Sequence, residues 1–103
     1  MVSLETFRQL ALSFKDATEE PHFEKASFRV KKKIFATLDV SRKQAVLKLS
    51  EIDQSVFSSF DQSIIYPVAN KWGKQGWTVI ELEKVREDML KDALTVSYFN
   101  VAK

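Results

Sequence analysis

The sequence predicts an α+β domain: a two-layer sandwich with helices covering one face of an antiparallel sheet. Three observations lead there. Apolar residues recur at three- and four-residue steps near both ends of the chain. Between them, from Lys25 onward, the apolar period changes to two. The chain has 103 residues, no cysteine, two glycines and two prolines, the size and composition of one ordinary domain held by its core alone. The expected order is α-β-β-β-α-β-α, in a single domain over residues 1–103.

Each element has its own signal. Ser3 is placed to cap a first helix, and Leu4, Phe7, Leu10, Ala11 and Phe14 then fall on one helical face. Asp16 to Pro21 reads as a polar loop. Ser27-Phe28-Arg29-Val30 and Ile34-Phe35-Ala36-Thr37-Leu38 read as two strands, joined by a basic turn at Lys31-Lys32-Lys33. Asp39 to Gln44 is a second polar turn, and Ala45 to Leu49 a third strand. Ser50-Glu51-Ile52-Asp53 resembles a helix start, with acids where the helix dipole favours them. Ile52, Val56, Phe57 and Phe60 follow at helical spacing, and this helix is expected to fade by Ile64 to Pro67. Asn70 to Gly76 holds both glycines and reads as a turn; Trp77 to Leu82 is the fourth strand. A last helix starts near Lys84, with Val85, Met89, Leu90, Ala93, Leu94, Ser97, Tyr98 and Val101 as its inner stripe.

Alternation assigns the strand residues to faces. Phe28, Val30, Ile34, Ala36, Leu38, Leu47, Leu49, Ile80 and Leu82 are expected inside. Arg29, Phe35, Thr37, Val46, Lys48, Trp77 and Val79 are then outside. A β-bulge or a one-residue shift would exchange these faces.

Charge is segregated along the chain. Lys25 to Lys48 hold eight basic side chains and one acid, Asp39, although the whole chain is only +2. A basic sheet surface suits an anionic partner, with nucleic acid the commonest candidate. On this reading Lys31, Lys32 and Lys33 at one hairpin tip, and Arg42 and Lys43 at the next turn, contact phosphates as two short wings. Arg29 and Lys48 extend the positive surface across the sheet. Neutralising about five phosphates of duplex DNA corresponds to a slope of log K against log salt of about −4.5. The same lysines also serve solubility and block edge-to-edge pairing of sheets.

Other chemistries find little support. His22 is the only histidine, too few for a multi-histidine metal site, and no acid partner or oxyanion hole accompanies a serine. Asp16, Glu19, Glu20 and Glu24 cluster after the first helix without calcium-loop spacing and read as a solvated loop. No cofactor, metal site or catalytic residue is expected. Trp72 and Trp77 bracket the two glycines; they are expected to anchor this loop on the sheet, with a small-ligand pocket beside them as the alternative. Ser97 and Tyr98 are expected in the core, each hydroxyl finding a backbone partner.

No apolar run approaches the ~20 residues of a membrane helix. Met1-Val2-Ser3-Leu4-Glu5 lacks the basic start and apolar stretch of a signal peptide. The protein is expected to be soluble and cytoplasmic, without a membrane partner.

Several short runs, taken in order, resemble the MmcQ/YjbR family of small bacterial proteins. They are Phe28-Arg29-Val30, Lys33-Ile34-Phe35-Ala36, Val46-Leu47-Lys48-Leu49, Gly76-Trp77-Thr78-Val79 and Ser97-Tyr98. The resemblance covers nearly the whole chain. It implies a CyaY-like (frataxin-like) α+β fold and a double-wing DNA-binding protein, the wings being the turns at Lys31-Lys32-Lys33 and Arg42-Lys43. Frataxins bind iron through acidic residues on the first helix and first strand. The corresponding strand here is basic, so iron binding is not carried over.

The leading expectation is therefore a non-enzymatic, largely backbone-directed DNA-binding domain of low specificity, a monomer or weak dimer. The alternatives are a protein-interaction module that docks an acidic partner on the open sheet face through Phe35 and Trp77, and a small-ligand binder near Trp72 and Trp77.

Overall fold

Ser3 starts the first helix. Its Oγ accepts the Thr6 N–H at 3.0 Å, and α1 (Leu4–Leu12) follows. The computed structural model describes residues 1–22 and 25–103. Helical spacing turns Phe7 and Ala11 fully inward, with Leu4 and Leu10 packed beside them. The chain then reverses through Asp16 at φ 61°, a left-handed position that aspartate tolerates better than most residues.

The segment expected as a polar loop is a strand. β1 (Thr18–His22) pairs antiparallel with β2 (Lys25–Val30), Thr18 facing Arg29 and His22 facing Lys25. β1 forms the sheet edge and buries no side chain. Such a strand shows no apolar alternation, and an edge can spare the donor that Pro21 lacks. Of the acidic cluster, Glu19 and Glu20 lie on this strand, while Glu24 is outside the described residues.

β3 (Lys33–Asp39) and β4 (Gln44–Lys48) continue the meander. α2 (Glu51–Ser58) begins at Ser50, whose Oγ accepts the Asp53 N–H at 3.1 Å. Then follow β5 (Ile65–Pro67), α3 (Lys71–Lys74), β6 (Trp77–Glu81) and α4 (Glu87–Ala102). The three residues of β5 and the one turn of α3 are too short to show a period. The sheet is antiparallel throughout, in the order β1-β2-β3-β4-β6-β5. The predicted class therefore holds: α+β, with α4 packed across β2, β3 and β4.

One bulge corrects the assignment of faces. Phe28 pairs with Ala36, but Arg29 pairs with Ile34, so Phe35 is an extra residue in β3. Phe35 and Ala36 consequently both point inward and are fully buried, while Ile34 turns to the outer face. Phe35 is thus core, not part of an exposed partner face. Its ring packs edge-on against Tyr98, centroids 5.6 Å apart, and Phe14 stacks on Tyr98 at 4.7 Å. The other residues expected inside, from Phe28 to Leu82, are all at most 2% exposed.

Ser97 serves the bulge. Its Oγ lies 2.7 Å from the Phe35 carbonyl and 2.8 Å from the Lys48 carbonyl, tying α4 to two strands. Tyr98 Oη donates to the Lys15 carbonyl at 2.6 Å. Both hydroxyls therefore have the backbone partners expected of them. α2 departs from expectation: Ile52, Val56 and Phe60 are mostly exposed, and the helix packs through Gln54, Phe57 and Ser58 instead.

The β2–β3 turn has two residues, Lys31 at φ 52° and Lys32 at φ 68°. Both central residues at positive φ match the type I′ hairpin turn, which Asn-Gly fills best. A left-handed conformation costs a non-glycine residue about 1–2 kcal/mol. Replacing the pair by Lys31→Asn/Lys32→Gly is therefore expected to stabilise the fold by about 1 kcal/mol and raise Tm by about 4–8 °C. A thermal melt with an unchanged or lower Tm would contradict this account of the turn.

Among the described residues no helix is long and apolar enough to cross a membrane.

Candidate nucleic-acid interface

The outer face of the sheet lies opposite α4. Strand alternation places Ile34, Thr37, Val46, Trp77 and Val79 there, all half-buried. With Val68, Trp72 and Gln44 they line a cleft of about 560 Å³, rimmed by His22, Lys25 and Arg42. A second recess of about 400 Å³ adjoins it. Lys33, Ile34, Lys48, Trp77, Asn100, Val101 and Lys103 line this one. Ile34 and Trp77 belong to both and form the divide between them.

Trp77 is held from its backbone. Its carbonyl accepts from the Val68 N–H at 3.0 Å and from Gln54 Nε2 at 3.2 Å. Gln54 Nε2 also reaches the Gly73 carbonyl at 2.9 Å and Thr78 Oγ1 at 3.0 Å, so α2 braces this turn. Lys48 faces Trp77 across the β4–β6 ladder, its Nζ 5.6 Å from the ring centroid, a cation–π distance. The same Nζ donates to the Gln75 carbonyl.

The loop before β6 is anchored by its glycines rather than its tryptophans. A Cβ on Gly73 would lie 2.0 Å from the Val68 carbonyl oxygen, and one on Gly76 1.8 Å from that of Leu49. Trp72 is 49% exposed, and its backbone N–H donates to Asn70 Oδ1 at 2.9 Å. Trp72 is thus too exposed for the anchoring role expected of it, while Trp77 is half-buried on the sheet, and both line the cleft.

The structure sorts the seven predicted cations. The two basic turns lie at opposite ends of β3, about 20 Å apart at ~3.3 Å per residue, so they flank the open face rather than sit side by side. Lys31 Nζ donates to the Ala102 carbonyl at 2.8 Å, at the C-terminus of α4, where the helix dipole favours a cation. It belongs to the helical layer. Arg29 donates to Ser27 Oγ at 3.0 Å and lies 3.9 Å from the Glu20 carboxylate of β1. Lys43 lies 3.9 Å from Glu83, and Arg42 3.9 Å from Asp39. Lys32 is exposed at the turn, and Lys33 and Lys48 line the smaller recess. Sequence reasoning passed over Ile34, Lys25, Asn100 and Lys103 as parts of this surface. Only Lys25 carried a signal, since it opens the basic stretch.

The two ends of the face differ in charge. No acidic side chain lines the recess at the Lys48 end. At the Gln44 end two carboxylates intervene. Burial pushes the Asp39 carboxyl up, but bonds from Ser41 Oγ–H and the Arg42 N–H, with the charges of Lys25 and Arg42, outweigh it and hold the group below its ordinary value. Glu81 accepts from Gln44 Nε2 at 2.9 Å and from Tyr66 Oη.

The bond to Glu81 is the main cause that pushes the Tyr66 hydroxyl up from 10.0 to about 12, with burial and the Glu81 charge adding to it. Since the folded value lies above the unfolded one, this contribution to stability is complete below pH 10.0 and is lost as pH rises towards about 12. Tyr66→Phe should therefore lose stability less steeply than the wild type across that window, read from urea midpoints. Parallel curves would contradict the coupling.

Among the described residues no group of histidine and carboxylate side chains could hold a metal ion. Glu19 instead pairs with Arg8 at 3.2 Å.

Sheet, bulge, braced turn and open face together define a small α+β domain that leaves one side of its sheet uncovered. The YjbR family model matches residues 12–99, and the chain belongs to that family. Among solved structures, it is similar to a Deinococcus radiodurans protein, DR2400, described with a DUF419 domain. The TM-score is 0.87 at 21% identity, over 100% of this chain and 80% of that one. It is also similar to a Pseudomonas syringae protein, with a TM-score of 0.71 at 16% identity, over 97% and 99% of the two chains. At these identities the likeness concerns the fold. Nothing among the curated proteins matches the chain.

Proposed function

We propose that this protein is a non-enzymatic nucleic-acid-binding domain that engages its partner across the open face of the sheet. The observation that carries the reading is the recess where Lys33, Lys48 and Lys103 converge beside Trp77 with no acidic side chain in its lining. Lysines of this kind position a phosphate backbone without reading sequence. Lys32 and Arg42 extend the surface at the two ends of β3, and Lys25 lines the rim of the larger cleft.

The contact then lies on the sheet face rather than at the wing tips. Lys33, Lys48 and Lys103 in the recess, with Lys32 at the adjoining turn, give about four cations for phosphates. For duplex DNA the slope of log K against log salt is then about −3.6, and for a single strand about −2.8. Anisotropy of a labelled oligonucleotide across a salt series tests this. A slope in that range supports the reading; a slope near zero, or no binding at low salt, overturns it.

A protein-interaction module on the same face is the second reading. It loses Phe35, which is buried, but keeps Trp77 and the exposed Trp72. It predicts that Trp77→Ala weakens capture of an acidic peptide while oligonucleotides do not bind.

A further inference from the structure

We infer that the nucleic acid taken by this face is single-stranded, with a base stacked on Trp77 and backbone phosphates on Lys33, Lys48 and Lys103. The inference rests on the nucleic-acid reading above and names its substrate class. A duplex presents phosphates outward and keeps its base faces stacked on one another. It could meet the cations, but would leave the apolar floor of the cleft against water. That floor, Ile34, Val46 and Val79, is half-buried and continuous with the Trp77 ring. Unpaired bases have apolar faces to bury there, while their phosphates reach the cationic recess one side chain away. Trp72, which lines the same cleft, offers a second ring.

Charge sets where the strand is held. The Lys48 end carries cations without acidic lining residues, whereas Asp39 and Glu81 accompany Arg42 at the Gln44 end. Phosphates therefore collect beside Trp77, and the cleft towards Trp72 is left for bases. Lys48, already over the Trp77 ring, would touch both parts of a nucleotide stacked there.

The test compares an oligo-dT and an oligo-U of roughly 12 nucleotides with a DNA duplex of the same length, at low salt. Both tryptophans line the cleft, so intrinsic fluorescence reports stacking and anisotropy reports binding. We expect saturable quenching by the single strands and affinity at least ~10-fold above the duplex. Trp77→Ala should weaken single-strand binding by roughly 5- to 150-fold, and Trp77→Phe, which keeps a ring, by much less. Melting curves of the free variants establish that both fold. Equal or tighter binding of the duplex overturns the single-strand inference and leaves the nucleic-acid reading standing. Single-strand binding that Trp77→Ala leaves unchanged overturns the stacking role. Failure of all three probes to bind overturns both. The DNA and RNA arms show whether the sugar matters.

Discussion

Gly76→Ala is expected to destabilise the protein by about 4 kcal/mol or more, among the most damaging single changes available to this fold. Two costs combine. Gly76 has φ 101°, a conformation closed to residues with a Cβ, and the added carbon would lie 1.8 Å from the Leu49 carbonyl oxygen. Neither chain can retreat, because the Leu49 N–H donates to the Gly76 carbonyl at 2.9 Å and β4 pairs with β6 immediately beyond. Domains of this size have total stabilities of about 5–15 kcal/mol, so the variant should be largely unfolded in mild urea. Gln75→Ala is the control: that side chain is exposed, and the residue's hydrogen bonds are made by its backbone N–H and carbonyl, which alanine keeps. A Gly76→Ala protein with the wild-type urea midpoint would show that the two backbones do not approach in this way.

Lys33→Glu/Lys103→Glu is expected to weaken oligonucleotide binding by at least ~30-fold at low salt, at ~1 kcal/mol for each of the two lysine–phosphate interactions lost in a water-like dielectric. Both side chains are exposed at the mouth of the recess, so the fold should be unaffected. The salt slope should shrink by about 1.4 for a single strand, since two phosphate contacts are gone. Lys84→Glu/Lys91→Glu makes the same change in net charge away from both clefts of the open face. It should cost only a few-fold. Equal losses for the two variants would mean that the overall charge, not the recess, governs binding.

The fold class was legible because two periods coexist in the chain. Phe7 and Ala11 follow one, Leu38 and Leu47 the other, and each set is buried as expected. β1 was hidden because an exposed edge strand such as Thr18–His22 has no reason to alternate. The faces of Ile34 and Phe35 are exchanged from those the alternation assigns because one bulged residue shifts the register there, while Ala36 to Leu38 keep theirs, and a bulge leaves no mark in a run of apolar side chains. The basic stretch was visible, but not its distribution. Which lysines are spent on carbonyls or carboxylates depends on residues far away in sequence, such as Ala102 for Lys31 and Glu83 for Lys43. Lys103 joins the recess only because α4 ends beside β3, and Gln54 braces Trp77 only because α2 packs on the turn before β6.

The central claim is that a nucleic acid lies on the open face of the sheet, and amide and indole N–H spectra of the protein during an oligo-dT titration test it most directly. The account predicts saturable shifts at the Trp77 and Trp72 indoles and at Ile34, Val46 and Lys48, with the exposed apolar residues of α2, Ile52 and Val56, unmoved. Shifts confined to α2 or to the turn at Lys31 and Lys32, with the Trp77 indole unchanged, would contradict it.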